Sequence, residues 1–169
     1  MFWVSLFVLQ GCLLSSLTHR FPYIDTLKIL EKWGPGAHFF GRGLDSDIDT
    51  LENLLAEESS IDPTKPPVLA LFTEFPSNPL LRSPDIPRLK ALADKYDVLL
   101  VVDDTIGNFI NVEVLPYVDI VATSLSKIFS GESNAMGGRY VEFRRSDATY
   151  NSHRRSASSS IRKDDTMRP

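Results

Sequence analysis

The sequence predicts an α/β fold built on a mostly parallel, doubly wound sheet. The first observation is the run from Val98 to Val102, which is uninterrupted apolar and largely β-branched, as in a parallel strand covered on both faces. The second is that shorter strand patterns at 68–72 and 119–123 are also followed by polar residues. The third is the order strand, helix, strand, strand, which favours βαβ units with right-handed crossovers. We therefore expect one domain whose strand ends meet at one edge of a sheet.

The length and composition limit the classes of protein that this chain can represent. A chain of 169 residues that is 43% hydrophobic can bury one core of ordinary size. Its net charge of −4 provides no basic face for nucleic acid. Cys12 is the single cysteine, and His19, His38 and His153 are too far apart in sequence for zinc-ligand spacing. We predict no nucleic-acid partner, no metal site and a reducing, cytoplasmic location.

Residues 1–20 form an apolar amino-terminal segment whose status the sequence leaves open. The apolar run is broken by Ser5, Gln10 and Gly11, so it is too short and interrupted to predict a membrane span. It lacks a positively charged start, although residues 11–16 have the composition of a cleavage region. Two interpretations remain, a targeting segment or a non-native start joined to the globular part.

Two helix patterns precede the strand at 68–72. Residues 21–33 place apolar side chains at helical spacing and end before a Gly-Pro-Gly sequence, and residues 37–41 are a short strand candidate. Residues 45–55 give a second helical pattern with acids in its first turn, and residues 57–67 predict a polar loop. The apolar positions of the second helix are expected in the core: Ile48, Leu51, Leu54 and Leu55.

A third helix pattern leads directly into the strand at 98–102. It is predicted to begin at Pro84, after Ser83, because proline is favoured in a first helical turn, and to run to Tyr96. Its inward positions are expected to be Ile86, Leu89, Leu92 and Ala93.

The polar residues after the strand patterns supply a particular set of chemical groups. One strand ends in Asp103 and Asp104, and a later one leads into Ser124, Ser126 and Lys127. A lysine desolvated at a strand end can lose its proton near neutral pH and attack a carbonyl. Serine hydroxyls can donate to a phosphate, and a buried acid needs a cationic partner such as a protonated pyridine nitrogen. Together these groups indicate a site for pyridoxal phosphate.

Two other ligand classes are disfavoured by missing motifs. The acidic strand end resembles the magnesium-binding strand of a P-loop NTPase, with Asp103 or Asp104 as the ligand, but the chain contains no G-x-x-x-x-G-K-[ST]. Neither the Gly-rich stretch at 34–36 nor that at 41–43 gives G-x-G-x-x-G after a strand, which argues against a dinucleotide site.

Three stretches of the chain carry a family resemblance. They are FPYIDTLKILEKWGPG, EFPSNPLLRSPDIPRLKALADKYDVLLVVDDTIGNFINVEVLPYVDI and SLSKIFSGESNAMGG. They resemble the pyridoxal-phosphate enzymes of cysteine and methionine metabolism, most closely the fungal type of cystathionine γ-synthase. The resemblance implies that residues 21–143 are the partial large, cofactor-binding domain of a fold-type I pyridoxal-phosphate-dependent transferase.

The resemblance implies a role for each group at the strand ends. Lys127 would hold the cofactor covalently and act as the catalytic residue, and Asp103 would keep the pyridine nitrogen protonated. Ser124 and Ser126 would bind the phosphate.

Two further cofactor contacts follow from the family pattern. A tyrosine three residues before a threonine stacks on the pyridine ring in the family, which assigns that role to Tyr23. The asparagine of E-x-P-[ST]-N-P bonds the ring hydroxyl, which assigns that role to Asn78. The residues alone leave other readings open, a surface or core aromatic for Tyr23 and an Asx turn before Pro79 for Asn78.

The resemblance also implies a reaction and partners. The expected reaction replaces the acyl group on Cγ of an O-acylhomoserine with the sulfur of cysteine, which yields cystathionine, and the expected assembly is a homo-oligomer. The alternatives are a non-catalytic remnant of such an enzyme, an O-acylhomoserine sulfhydrylase or a cystathionine lyase.

The carboxyl-terminal segment departs from the family pattern. Residues 139–143 can form one more strand, but residues 144–169 are basic, rich in serine and nearly devoid of aliphatic side chains. Such a segment cannot bury enough apolar surface to order itself, so we predict a disordered tail that is a truncated or frame-shifted end of the family sequence. A phosphorylated or lipid-touching arm is the alternative.

Overall fold

The described residues form a sheet of six strands, which confirms the predicted fold class. The computed structural model describes residues 16–19, 23–33, 37–41, 44–64, 68–132, 134 and 136–142. The strands are β1 Ser16–His19, β2 Ala37–Phe40, β3 Ala70–Glu74, β4 Leu99–Asp103, β5 Ile120–Ser124 and β6 Gly138–Glu142, in the spatial order β2-β1-β3-β4-β5-β6. Strands β1 to β5 are parallel to one another, and β6 at the edge of the sheet is antiparallel to β5.

In the described part of the chain, three α-helices cover the two faces of this sheet. They are α1 Ile24–Trp33, α2 Asp45–Ile61 and α3 Ile86–Lys95. Leu30 of α1 packs against Phe72 and Val101 on one face. Apolar residues of α2 and α3 pack on the opposite face, against residues that include Leu100 and Val102. Because successive residues of a strand point to opposite faces, β4 contributes to both cores, which explains its uninterrupted apolar run.

The predicted core positions of α2 and α3 are confirmed except for Leu54, which is only partly buried and packs against the edge of the core, and two helix ends differ. Helix α2 continues to Ile61 through the stretch predicted as a loop, because its glutamates favour a helix and proline first appears at position 63. Helix α3 begins at Ile86 rather than Pro84. The Asp85 side chain caps it by accepting from the Arg88 N–H at 2.9 Å, and Pro87 occupies its first turn.

Strand β1 was not predicted from the sequence. It lies between β2 and β3 in the middle of the sheet and pairs with both, with Leu17 opposite His38 and Leu71. The stretch Ser16–His19 contains one apolar residue, so it has no hydrophobic period to reveal it. The sheet therefore includes residues from the segment 1–20, and the rest of that segment lies outside the described residues.

The remaining strands lie near their predicted positions. Strands β3 to β5 begin one or two residues later than predicted, and β6 spans Gly138–Glu142 against the predicted 139–143. The predicted disordered tail at 144–169 lies outside the described residues and stays a prediction. Of the helices that the structure describes, none is long and apolar enough to span a membrane.

Asp119 joins helix α3 to strands β4 and β5 from a buried position. Its Oδ2 accepts a hydrogen bond from the Leu100 N–H at 2.8 Å, and its Oδ1 lies 3.6 Å from Lys90 Nζ. We expect Asp119→Ala to lower the free energy of unfolding by about 2 to 3 kcal/mol, because it leaves a buried donor unsatisfied. Urea denaturation measures this change.

Asp94 provides the matched control because it pairs with the same lysine at the surface, with Lys90 Nζ 2.6 Å from its Oδ1. Asp94→Ala should cost only about 0.5 kcal/mol, as is usual for exposed helix pairs. An equal decrease in the free energy of unfolding for the two variants would show that the buried bonds of Asp119 stabilise the fold no more than an exposed ion pair does.

Candidate active site at the strand ends

The carboxyl ends of β3, β4 and β5 lie side by side at one edge of the sheet. These strands are parallel neighbours, and they end at Glu74, Asp103 and Ser124. Glu74 is in register with Asp103, so the two side chains project from the same face. We call the residues at this edge the strand-end site: Tyr23, Glu74, Asn78, Asp103, Thr105, Ser124, Ser126 and Lys127.

A series of hydrogen bonds connects Asp103 to the two serines. Asp103 Oδ1 accepts from the Thr105 N–H at 2.8 Å, and Thr105 Oγ1 accepts from the Ser124 N–H at 2.9 Å. Ser124 Oγ and Ser126 Oγ are 2.8 Å apart and share a hydrogen bond. The end of β4 is thereby fixed to the end of β5. Thr105 was not predicted as a site residue, and its place between an acid and a serine was visible only in three dimensions.

Lys127 lies in the helical turn Leu125–Phe129 that follows β5 directly. The turn is interrupted at Lys127, where φ is −98° and ψ is −113°. Its backbone is held by the Gly131 N–H, which donates to Lys127 O at 3.0 Å, and by Leu125 N–H, which donates to Gly137 O at 3.0 Å. Gly131 has a φ of +70°, a conformation that suits glycine.

The surroundings of Lys127 differ from the sequence-based expectation in one respect. A desolvated lysine was expected, but the Lys127 side chain is exposed. The reason is that the turn carries it beyond the last residue of β5, past the region covered by the helices. Lys127 is therefore accessible from solvent at the same edge as the two serines.

The adjacent acids Asp103 and Asp104 have side chains on opposite faces of the sheet and different hydrogen-bond partners. Asp104 is only 1% exposed, and its carboxylate accepts from the Thr123 hydroxyl and from the Phe109 N–H, the latter at 3.0 Å. Asp103 is partly exposed and bonds Thr105 instead. Asp104 thus anchors the loop after β4, whereas Asp103 is available to a ligand at the strand-end site.

Within the part of the chain that the structure describes, the electrostatic neighbour of Asp103 is another acid, Asp104. Burial raises the pKa of its carboxyl, the two hydrogen bonds from Thr105 lower it, and the charge of Asp104 raises it, with an upward net shift. Among the described residues, no basic side chain forms an ion pair with Asp103. A cationic ligand group at this position would stabilise the ionised carboxylate.

Glu74 links the two remaining predicted residues. Its Oε1 accepts from the Tyr23 N–H at 2.6 Å, and its Oε2 accepts from the Asn78 N–H at 3.0 Å. Tyr23 and Asn78 are thereby brought to one carboxylate at the end of β3. Sequence reasoning gave Glu74 no role, although a glutamate that ends an otherwise apolar strand was a usable signal.

The exposed surfaces of Tyr23 and Asn78 leave both open to a ligand. Tyr23 is 56% exposed, and a hydrogen bond to Asp25 together with the charge of Asp25 raises the pKa of its phenol. The Asn78 side chain is exposed in the turn after β3. The part of the chain that the structure describes contains no group of three or more side chains placed to hold a metal ion.

These groups fit pyridoxal phosphate. The site offers an acid that lacks a cation, two hydroxyls within 2.8 Å of each other, an accessible lysine and an open aromatic ring. Those are the partners that a pyridine nitrogen, a phosphate, an aldehyde and a ring face require. The fold and the site define a cofactor-binding unit of the fold-type I pyridoxal-phosphate class.

The chain belongs to the Cys/Met metabolism PLP-dependent enzyme family, whose sequence profile matches residues 45–163. It is 70% identical over 126 residues to a cystathionine gamma-synthase-like enzyme of Amanita muscaria, an alignment that covers 75% of this chain and 21% of the relative. It is 55% identical over 126 residues to the cystathionine gamma-synthase of Neurospora crassa, covering 74% of this chain and 19% of that protein.

A solved structure shows the same fold. A protein of Campylobacter jejuni described as an O-acetylhomoserine (thiol)-lyase superposes with a TM-score of 0.66 at 23% identity, covering 84% of this chain and 34% of that one. The crystals of that protein contain N'-pyridoxyl-lysine-5'-monophosphate.

The likeness extends to relatives with other activities. The chain spans about a fifth of the length of the curated relatives that it matches. An alanine racemase of Aspergillus violaceofuscus is 42% identical over 119 residues, which cover 70% of this chain and 20% of that protein. Similarity in this region therefore identifies the family and its cofactor more firmly than the reaction.

Proposed function

We propose that the strand-end site binds pyridoxal phosphate and that the chain forms the cofactor-binding part of a cystathionine γ-synthase-type enzyme. The observation that carries the proposal is the hydrogen-bonded series from Asp103 through Thr105 to Ser124 and Ser126. This series holds an acid and two hydroxyls in fixed relation next to Lys127. With the acid at one end of the series and the hydroxyls at the other, the ring nitrogen and the phosphate of the ligand are each assigned to one end of the site.

Each residue of the site acts on a different part of the ligand. The Asp103 carboxylate holds a proton on the pyridine nitrogen, and the hydroxyls of Ser124 and Ser126 donate to phosphate oxygens. Tyr23 covers one face of the ring, and the Asn78 side chain donates to the ring hydroxyl oxygen. When bound, the cofactor supplies an electron sink for a carbanion of the substrate. Lys127 would hold the cofactor through its Nζ and would move protons between atoms of the substrate.

The proposed reaction is a γ-replacement on an O-acylhomoserine. The bond from Cγ to the acyl oxygen breaks, the acyl group leaves as a carboxylate, and the sulfur of cysteine forms a new bond to Cγ. Support comes from the 55% identity to a protein named cystathionine gamma-synthase and from the exposure of the Lys127 side chain to solvent. The proposed partners are these two amino acids and further copies of the chain in a homo-oligomer.

The proposal is tested by adding pyridoxal phosphate to the purified chain and recording absorbance at the edge of the visible range. We expect a new band that is absent from a mixture of the cofactor with unfolded chain. O-acetylhomoserine and cysteine are then added, and mass spectrometry is used to look for cystathionine. Separate samples receive O-acetylhomoserine with sulfide, or L-alanine alone, and are analysed for homocysteine and for D-alanine. The same measurement on a full-length relative with the VVDDT segment supplies the parts of the enzyme outside this region.

The outcomes separate cofactor binding from reaction type. Absence of the absorbance band contradicts the proposed site. A band accompanied by racemised alanine or by homocysteine formed from sulfide, without cystathionine in the full-length relative, contradicts the γ-replacement and retains the cofactor site.

A further inference from the structure

Glu74 makes two contacts that nothing in the proposed chemistry requires of it. It is the last residue of β3, 9% exposed, and each of its carboxylate oxygens accepts one backbone N–H. The donors are Tyr23 and Asn78, which lie 51 and 4 residues away in sequence. One carboxylate therefore connects the residue before α1 to the turn after β3.

Other backbone hydrogen bonds hold each donor segment locally. The Tyr23 carbonyl accepts from the Thr26 N–H at 2.8 Å, which fixes Tyr23 to the start of α1. In the turn after β3, Ser77 N–H donates to Arg82 O at 2.9 Å and Leu81 N–H donates to Ser77 O at 2.8 Å. Glu74 adds the bond that relates α1 to this turn.

Glu74 keeps this position at a cost in solvation. Burial raises the pKa of its carboxyl most strongly, the bonds from the backbone N–H groups of Asn78 and Tyr23 lower it, and the charge of Asp103 raises it, with an upward net shift. An acid placed beside another acid and away from water is poorly placed for stability alone. Its two hydrogen bonds are instead suited to holding two chain segments at a fixed separation.

We infer that Glu74 is a positioning residue that sets the separation between Tyr23 and Asn78, and hence between the ring-face and ring-hydroxyl contacts of the cofactor. The inference rests on the proposed function, because it concerns how the same site holds the pyridine ring of the cofactor. Glu74 acts through the two backbone N–H groups. Its register with Asp103 places it on the same face of the sheet as the acid that meets the ring nitrogen.

Glu74→Gln tests this inference with almost no change in side-chain shape. Glutamine has one carbonyl oxygen, so one of the two backbone N–H groups must face its NH₂ group and lose its acceptor. Hydrogen exchange followed by NMR should show the amide of Tyr23 or of Asn78 exchanging about tenfold faster or more. The measurement is made without cofactor, so it reports the contact itself.

The second readout concerns the bound cofactor. Pyridoxal phosphate should bind Glu74→Gln about tenfold more weakly than the wild type, and the visible circular dichroism per bound cofactor should decrease because the ring is held less firmly. Borohydride should still label Lys127. Glu113→Gln, at an exposed glutamate, is the matched control and should leave both readouts unchanged. Glu74→Asp, which keeps the charge on a shorter side chain, should fall between wild type and Glu74→Gln.

The outcomes distinguish failure of this inference from failure of the proposed function. Unchanged amide exchange in Glu74→Gln shows that the contact does not exist and overturns the inference. Faster exchange with wild-type affinity and circular dichroism shows a purely structural contact and also overturns it. Absence of cofactor binding by the wild type contradicts the proposed function, and with it any role of Glu74 towards the ring. If Glu74→Gln does not fold, Glu74→Asp supplies the same comparison.

Discussion

Lys127→Arg should abolish covalent attachment of pyridoxal phosphate to the chain. Arginine keeps the positive charge, but its guanidinium stays protonated and cannot attack an aldehyde. After borohydride reduction and proteolysis, mass spectrometry should find the pyridoxyl group on Lys127 of the wild type and on no residue of the variant above background. In a full-length relative, the equivalent change should reduce turnover by about 10²-fold to 10⁴-fold, the usual loss on removing a proton-transfer group.

Lys95→Arg is the matched control for this experiment. Lys95, at the end of α3, is also exposed, and its Nζ lies 2.9 Å from Oε1 of Glu52 in α2. Labelling should be unaffected by Lys95→Arg. Label spread evenly over the surface lysines, or label that survives in Lys127→Arg at wild-type level, would show that the site lies elsewhere.

Asp103→Asn should weaken pyridoxal phosphate binding by about a hundredfold or more. An amide cannot hold the pyridine nitrogen protonated. Removal of one partner of a fully buried charge pair costs about 3 to 5 kcal/mol, and we expect the partly exposed Asp103 to lie at the lower end of that range. The amide oxygen can still accept from the Thr105 N–H, so the series to Ser124 should survive. Fluorescence titration with pyridoxal phosphate measures the affinity.

Asp104→Asn should be mild in comparison, although Asp104 is the more buried acid. Its amide oxygen can accept from the Phe109 N–H, and its NH₂ group can donate to the Thr123 hydroxyl, which replaces both present bonds. Its side chain lies on the face opposite that of Asp103. Equal losses of affinity in the two variants, or a larger loss at Asp104, would mean that the wrong acid has been assigned.

The same Asp103 variant should be more stable than the wild type when the cofactor is absent. The pKa of Asp103 is raised in the folded chain, so its contribution to stability is complete below the unfolded pKa, about 3.9, and is lost as pH rises through the folded pKa. Asp103→Asn does not suffer this loss, and each unit of pKa elevation corresponds to about 1.4 kcal/mol.

Urea denaturation as a function of pH measures this effect. The stability difference between variant and wild type should be clear at neutral pH and vanish below about pH 4. Glu74 shifts in the same direction, but it is present in both proteins, so the comparison largely removes its contribution. Saturating cofactor should reverse the order at neutral pH, because only the wild type pairs its carboxylate with the ring. A wild type more stable than the variant at neutral pH without cofactor would contradict the stated surroundings of Asp103.

The central part of the fold could be predicted because its patterns are strong. The double-sided apolar run of β4 and the inward positions of α3 are dictated by burial, which leaves a clear period in the sequence. The limits of α2 and α3 were less accurate, since helix ends depend on local caps such as Asp85. Strand β1 has no such period, because its place in the sheet rests on backbone pairing with both neighbours.

The sequence by itself determined the fold class, the family and the chemical groups of the strand-end site, because strand order brings Asp103, Ser124 and Lys127 to one edge whatever the details of packing. Only the tertiary structure decided how those groups are connected. The bond from the Ser124 N–H to Thr105 and the bond from the Tyr23 N–H to Glu74 join residues that are 19 and 51 positions apart in the chain. Such bonds depend on distances of less than 1 Å in side-chain placement, and no sequence period encodes them.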